Sequence, residues 1–97
     1  MQIPMLKFFE DPGHGWLEVS LSLLKDLGIE KHISFYSYFS PDKQKAYLEE
    51  DCDMSIFFRK LQELEIPEPL ITRKFASRNS PVRSLNSYDF GSEVAYL

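Results

Sequence analysis

The sequence predicts one α+β domain: a mainly antiparallel sheet, in chain order ββαββαβ, with two helices on one face. Three observations lead there. Short runs alternate apolar and polar residues at period two and are bounded by Gly, Pro, Asp and Ser. Two other segments space their apolar residues at helical intervals. The chain has 97 residues, 43% of them apolar with eight Phe, five Tyr and one Trp, which supplies one modest core and leaves no room for a second domain.

The elements follow in order. Met5 to Glu10 reads as a strand and Asp11-Pro12-Gly13-His14-Gly15 as a turn. Trp16 to Val19 reads as the returning strand of a hairpin. Ser20 is placed to cap a short helix whose Leu21, Leu24 and Leu27 share a face. Val19 can staple to Leu24, and Gly28 suits the left-handed residue that closes the helix. Ile33 to Phe39 reads as a strand with Ile33, Phe35 and Phe39 inward and Tyr36 and Tyr38 outward. Ser40-Pro41-Asp42-Lys43-Gln44 turns the chain, and Lys45 to Glu50 returns with Ala46 and Leu48 inward. Asp51 or Asp53 caps the second helix, in which Met54, Phe57, Phe58, Leu61 and Leu64 form one stripe before Pro67 and Pro69 stop it. Leu70 to Ala76 reads as a fifth strand. Residues 77–97 read as a polar, loosely ordered segment anchored at Val82, Leu85, Tyr88 and Phe90. The hairpin-plus-helix pattern occurs twice.

No run is apolar and long enough to cross a bilayer, and residues 1–9 lack the pattern of a secretion signal. With one Cys, these features lead to the expectation of a reducing, cytoplasmic setting. Net charge is −4 and uneven. Residues 1–66 carry seven Lys/Arg against twelve Asp/Glu, a balance of −5, and residues 67–97 carry four against three, a balance of +1. This asymmetry argues against a generic nucleic-acid binder and leaves room for a local anion site.

Candidate functional residues fall into four groups. His14 stands between Gly13 and Gly15, which permit positive φ or a close backbone approach; it suits proton transfer or anion recognition, and the same residues suit a plain hairpin loop with Trp16 packed beneath it. Glu49-Glu50-Asp51-Cys52-Asp53 invites comparison with a metal site. Calcium loops, however, spread oxygen ligands around a central glycine, and zinc sites cluster Cys and His, so the run reads as carboxylates favouring a helix start, with Glu49 and Glu50 left for solvent or a basic partner. No metal or cofactor is expected. Cys52, flanked by acids, reads as a structural thiol, buried or half-buried, with a raised pKa, and His32 as a surface residue. Arg73, Lys74, Arg78 and Arg83 lie within eleven residues free of acids and are the candidate contacts to nucleic acid, with Phe75 able to stack on a base, although strand alternation separates Arg73 from Lys74. Tyr36, Tyr38 and Tyr47 share the outward face of the second hairpin, where they either meet a partner or lie under the segment carrying Tyr88 and Phe90.

In order, Phe9-Glu10-Asp11-Pro12-Gly13-His14-Gly15-Trp16-Leu17-Glu18-Val19, Leu27-Gly28-Ile29, Ile33-Ser34, Tyr36-Ser37-Tyr38 and Tyr47-Leu48-Glu49-Glu50-Asp51-Cys52-Asp53 resemble a family of short uncharacterised bacterial proteins often carried by phages and plasmids. Val82-Arg83 and Tyr88 resemble the family's tail, while Leu85 stands where that tail has a tyrosine. The resemblance implies a mobile-element setting, in which small acidic proteins often bind a larger host or phage protein. It brings no established activity.

The leading expectation is a protein-binding accessory factor, or an inhibitor of a host defence complex, without catalysis. It would use His14, Trp16, Tyr36, Tyr38, Tyr47, Glu49 and Glu50 against a basic, nucleic-acid-binding partner. Direct nucleic-acid binding through the basic stretch 73–83 is the second expectation. An enzyme using His14 with Asp11 or Glu50 is the third.

Overall fold

The computed structural model describes residues 2–89. Period-two alternation is realised in β1 (Leu6–Glu10) and β2 (Gly15–Ser20), an antiparallel hairpin in register Phe8↔Leu17 and Phe9↔Trp16. α1 (Leu21–Asp26) follows at once. The Ser20 hydroxyl accepts the amide of Leu23, and Gly28 at φ +72° closes the helix, with the Ile29 amide donating to the Leu24 carbonyl. β3 (Tyr38–Ser40) and β4 (Lys45–Glu49) form the second hairpin, and β4 also pairs with β2, so that Trp16 lies opposite Glu49. α2 (Met54–Glu63) leads to β5 (Ile71–Phe75), a 3-10 turn at Pro81–Ser84 and the two-residue β6 (Asn86–Ser87).

The six strands lie in the order β5-β1-β2-β4-β3-β6. All pairings are antiparallel except β1 with β5. Leu6, Phe8, Leu17, Val19, Phe39, Ala46 and Leu48 point to one face, and Leu21 and Leu24 of α1 with Phe57 and Leu61 of α2 bury against them in one cluster. The mainly antiparallel sheet with two helices on one face is therefore as the sequence predicts. On the opposite face Trp16, Tyr47 and Val82 form a second, smaller cluster, with Phe9, Tyr38 and Leu85 packed against it.

Several expectations are corrected. The strand expected over residues 33–39 is confined to its end, because Ser34 to Ser37 form a turn around a buried carboxylate. Asp53, only 1% exposed, takes hydrogen bonds from the Ser34 amide and hydroxyl and from the Ser37 hydroxyl. Phe35 is consequently turned out to solvent instead of inward. For the same reason Asp53, although it stands at the start of α2, makes no side-chain cap to that helix. Leu64 drops off the buried stripe and is exposed, its place taken by Ile66, which packs against the core after a tight helix end at Glu65. Cys52 is exposed.

The segment after β5 is anchored to the fold at Ser80, Val82 and Tyr88. Val82 and Tyr88 are buried, the Tyr88 amide donates to the Ser37 carbonyl, and its hydroxyl donates to the Glu30 carbonyl. Phe90 lies outside the described residues. No described helix is long and apolar enough to cross a membrane.

Candidate functional site

The face of the sheet opposite the helices carries an unusual load of buried polar groups, and their positions follow from strand register. Trp16, Glu18, Tyr47 and Glu49 alternate with core residues, so all four project to this face. Glu18 accepts from the Tyr47 hydroxyl at 2.8 Å and pairs with Lys45 at 3.4 Å. Burial first, then this carboxylate, pushes the Tyr47 phenol well above its ordinary range. Tyr47, 4% exposed, is thus a core residue and no partner-facing tyrosine. Val82 and Leu85 of the C-terminal segment pack in its cluster, while Tyr88 goes to the helix side.

The histidine turn is built by Asp11. Its Oδ1 accepts the amides of Gly13 and His14 at 2.9 and 3.0 Å, and its own amide donates to the His14 carbonyl. Its Oδ2 accepts the Ser80 amide at 2.8 Å and Arg83 Nε at 2.7 Å, while Arg83 Nη2 reaches Oδ1 at 2.9 Å. This two-pronged pair fastens the C-terminal segment across the sheet. The Arg83 guanidinium first, then the Ser80, His14 and Gly13 amides, outweigh burial and hold the Asp11 carboxyl well below the usual carboxylate range. Neither Gly13 nor Gly15 has positive φ. Both serve close approach: a Cβ on Gly15 would fall 2.2 Å from the Phe8 ring, and one on Gly13 2.8 Å from Arg83 Nη2.

Between this turn and the start of α2 lies a cavity of about 260 Å³ lined by His14, Trp16, Tyr36, Tyr38, Glu49, Asp51, Cys52 and Arg83. Arg83 spreads over the Trp16 ring at 5.1 Å, and Tyr38 meets Trp16 edge-on at 6.0 Å. His14 Nδ1 stands 3.3 Å from Glu49 Oε1. The other Glu49 oxygen accepts the amides of Asp51 and Cys52, both at 2.9 Å. Glu49 is 7% exposed, which corrects the expectation that it faces solvent; Glu50, beside it, is exposed. Desolvation, then Glu49, Asp53 and Asp51, push the exposed Cys52 thiol up, so it is a poor nucleophile, in the direction the flanking acids predict.

Five of the seven residues expected at a protein-binding site, His14, Trp16, Tyr36, Tyr38 and Glu49, line this one cavity, Glu50 is exposed but does not line it, and Tyr47 lies within the core. The basic stretch is dispersed. Arg83 is tied to Asp11, Arg73 pairs with Glu10 at 3.5 Å and lies over Phe8, and Lys74 falls on the opposite face of β5. Arg78 and Phe75 are exposed. His14 meets Glu49, whereas Asp11 serves its backbone and Arg83. The Asp11–Arg83 pair and the placing of Asp51 beside His14 were missed from sequence. The one available signal was that Glu49 continues the alternation Lys45, Tyr47, and therefore shares the Trp16 face if β2 and β4 are neighbours.

Fold and site together define a small α+β domain with an aromatic-walled cavity, bordered by charged side chains, on the sheet face away from its helices. The chain matches no family model and no curated protein, and no solved structure matches it.

Proposed function

We propose that this chain is a binding protein without catalysis, whose partner is a protein with a basic, nucleic-acid-binding surface. The observation that carries the reading is the exposed pair Phe35 and Tyr36. They are 65% and 60% exposed, stacked with ring centroids 4.6 Å apart, and presented by the turn anchored on Asp53. Large aromatics displayed to solvent are costly without a partner and are typical anchors of protein interfaces. Tyr36 also lines the cavity together with Asp51, and Glu50, one residue before Asp51, is exposed, so aromatic anchors share this surface with negative charge. That combination suits a surface rich in Arg and Lys. In the mobile-element setting that the family resemblance implies, such a protein serves as an accessory factor or as an inhibitor of a host defence complex.

Retention of bacterial host proteins on the immobilised chain tests this reading. Wild type is expected to retain a basic protein at low salt and release it as salt rises. The Phe35→Ser/Tyr36→Ser double variant and Glu50→Lys are each expected to weaken retention at least about tenfold. Equal retention by wild type and both variants, or none by wild type, overturns it. Direct binding of nucleic acid through Arg73, Lys74, Arg78 and Arg83 is the weaker reading, because Arg83 is already committed to Asp11.

A further inference from the structure

Two buried polar atoms at the cavity have no hydrogen-bond partner among the described residues: Glu49 Oε1 and Trp16 Nε1. Glu49 is 7% and Trp16 2% exposed, so water outside the fold does not satisfy them. An unsatisfied buried carboxylate oxygen is costly, and here it faces an imidazole nitrogen 3.3 Å away. One ligand oxygen each from Glu49 and Asp51 and one ring nitrogen of His14 all lie within 4.8 Å of one another.

We propose that His14, Glu49 and Asp51 form a binding site for a divalent transition-metal ion of the zinc type, with water completing the coordination. An imidazole beside two carboxylates is a donor set for zinc and its first-row neighbours, while calcium and magnesium take oxygen ligands alone. Glu49 is already held as a metal ligand needs to be. Its Oε2 is fixed by the Asp51 and Cys52 amides, which orients the carboxylate and leaves Oε1 facing the His14 ring. A tetrahedral ion with bonds of about 2.0–2.2 Å needs its ligand atoms closer together than their present spread. The exposed side chains of His14 and Asp51 can rotate to close that gap, whereas Glu49 stays fixed. Trp16, whose buried indole N–H has no partner among the described residues, lines the same cavity. The charge of Arg83 on the cavity wall is balanced by its pair with Asp11 and does not oppose a cation there.

This assignment goes beyond the binding reading and does not rest on it, since Phe35, Tyr36 and Glu50 are not ligands. The test uses the tag-free full chain after chelator treatment, with Zn2+ in calorimetry and Co2+ as a spectroscopic probe. One saturable Zn2+ site per chain is expected, with Co2+ giving visible bands of a low-coordinate site and Zn2+ shifting the NMR signals of the His14 ring but not those of His32. Glu49→Gln, whose carbonyl can still accept the two amides, and His14→Asn are each expected to weaken Zn2+ binding at least about tenfold. Glu50→Gln and His32→Asn are expected to bind as wild type does. If Glu49→Gln fails to fold, judged by its melting curve without metal, His14→Asn and Asp51→Asn carry the test. Absence of saturable binding, or loss of binding in His32→Asn with retention in His14→Asn, overturns the proposal.

Discussion

The two faces of the sheet are built on different principles. Under the helices, Leu17, Leu24, Leu48, Phe57 and Leu61 are essentially fully buried, and what holds them is apolar area removed from water. Across the sheet, Trp16, Tyr47 and Val82 share their layer with Glu18, Glu49 and Asp11, all buried. Carboxylates in such a place are tolerable only when they are hydrogen-bonded. Glu18 and Asp11 have hydrogen-bond partners for both oxygens, whereas Glu49 is hydrogen-bonded at one and meets only the His14 ring at the other. The helix face therefore supplies stability that comes mainly from apolar burial. The other face carries directional, charge-dependent interactions and one group left open for a ligand.

That contrast can be broken on either side, and the largest effect is expected under the helices. Phe57→Ala should cost about 3–5 kcal/mol, read from urea unfolding, with little change between pH 8 and acid. A loss under about 1 kcal/mol would mean that α2 is not packed as described. On the other face Asp11→Asn should give the next largest loss at neutral pH, and here the pH profile is diagnostic. The folded-state carboxyl titrates far below its unfolded value, so its contribution is fully present above about pH 5 and drains away as the pH falls. Because the folded value is so low, the loss continues to the most acidic conditions in which the protein stays folded. The gap between wild type and Asp11→Asn should narrow steadily as acid is added; a constant gap would show that the ion pair is not the cause.

Smaller effects sharpen the comparison. Tyr47→Phe removes the donor to Glu18 and keeps the ring, so it should cost about 1.5–3 kcal/mol, the range for a hydrogen bond to a charged group. The smallest change should stabilise. α1 and α2 end in the same motif, but Gly28 occupies the left-handed position in one and Glu65, at φ +55°, in the other. Glu65→Gly should raise stability by about 0.5–1 kcal/mol in thermal unfolding, whereas Gly28→Ala should lower it by a similar amount.

Much of the helix face was legible in the sequence, because periodicity is a local property. Leu21 and Leu24, Ala46 and Leu48, and Phe57 and Leu61 stand on the faces that spacing assigns them, and Ser20 and Gly28 cap α1 as their chemistry requires. The failures share one cause. Ile33 to Phe39 alternates as a strand should, yet Asp53, distant in sequence, offers a carboxylate to Ser34 and Ser37 and wins the segment for a turn. Whether Tyr47 met a partner or lay under the C-terminal segment was open in the sequence, and Val82 and Leu85, not Tyr88, settle it by packing over it.

By itself the sequence determined the types of most elements and the helix-bearing face, each the outcome of interactions within a few positions along the chain, and, through composition alone, the acidity of residues 1–66. Only the tertiary structure decided that β4 lies beside β2, that Arg83 closes on Asp11, and that His14 meets Glu49 and Asp51. Those are choices of strand order and docking, and they depend on which distant groups can satisfy one another once water is excluded.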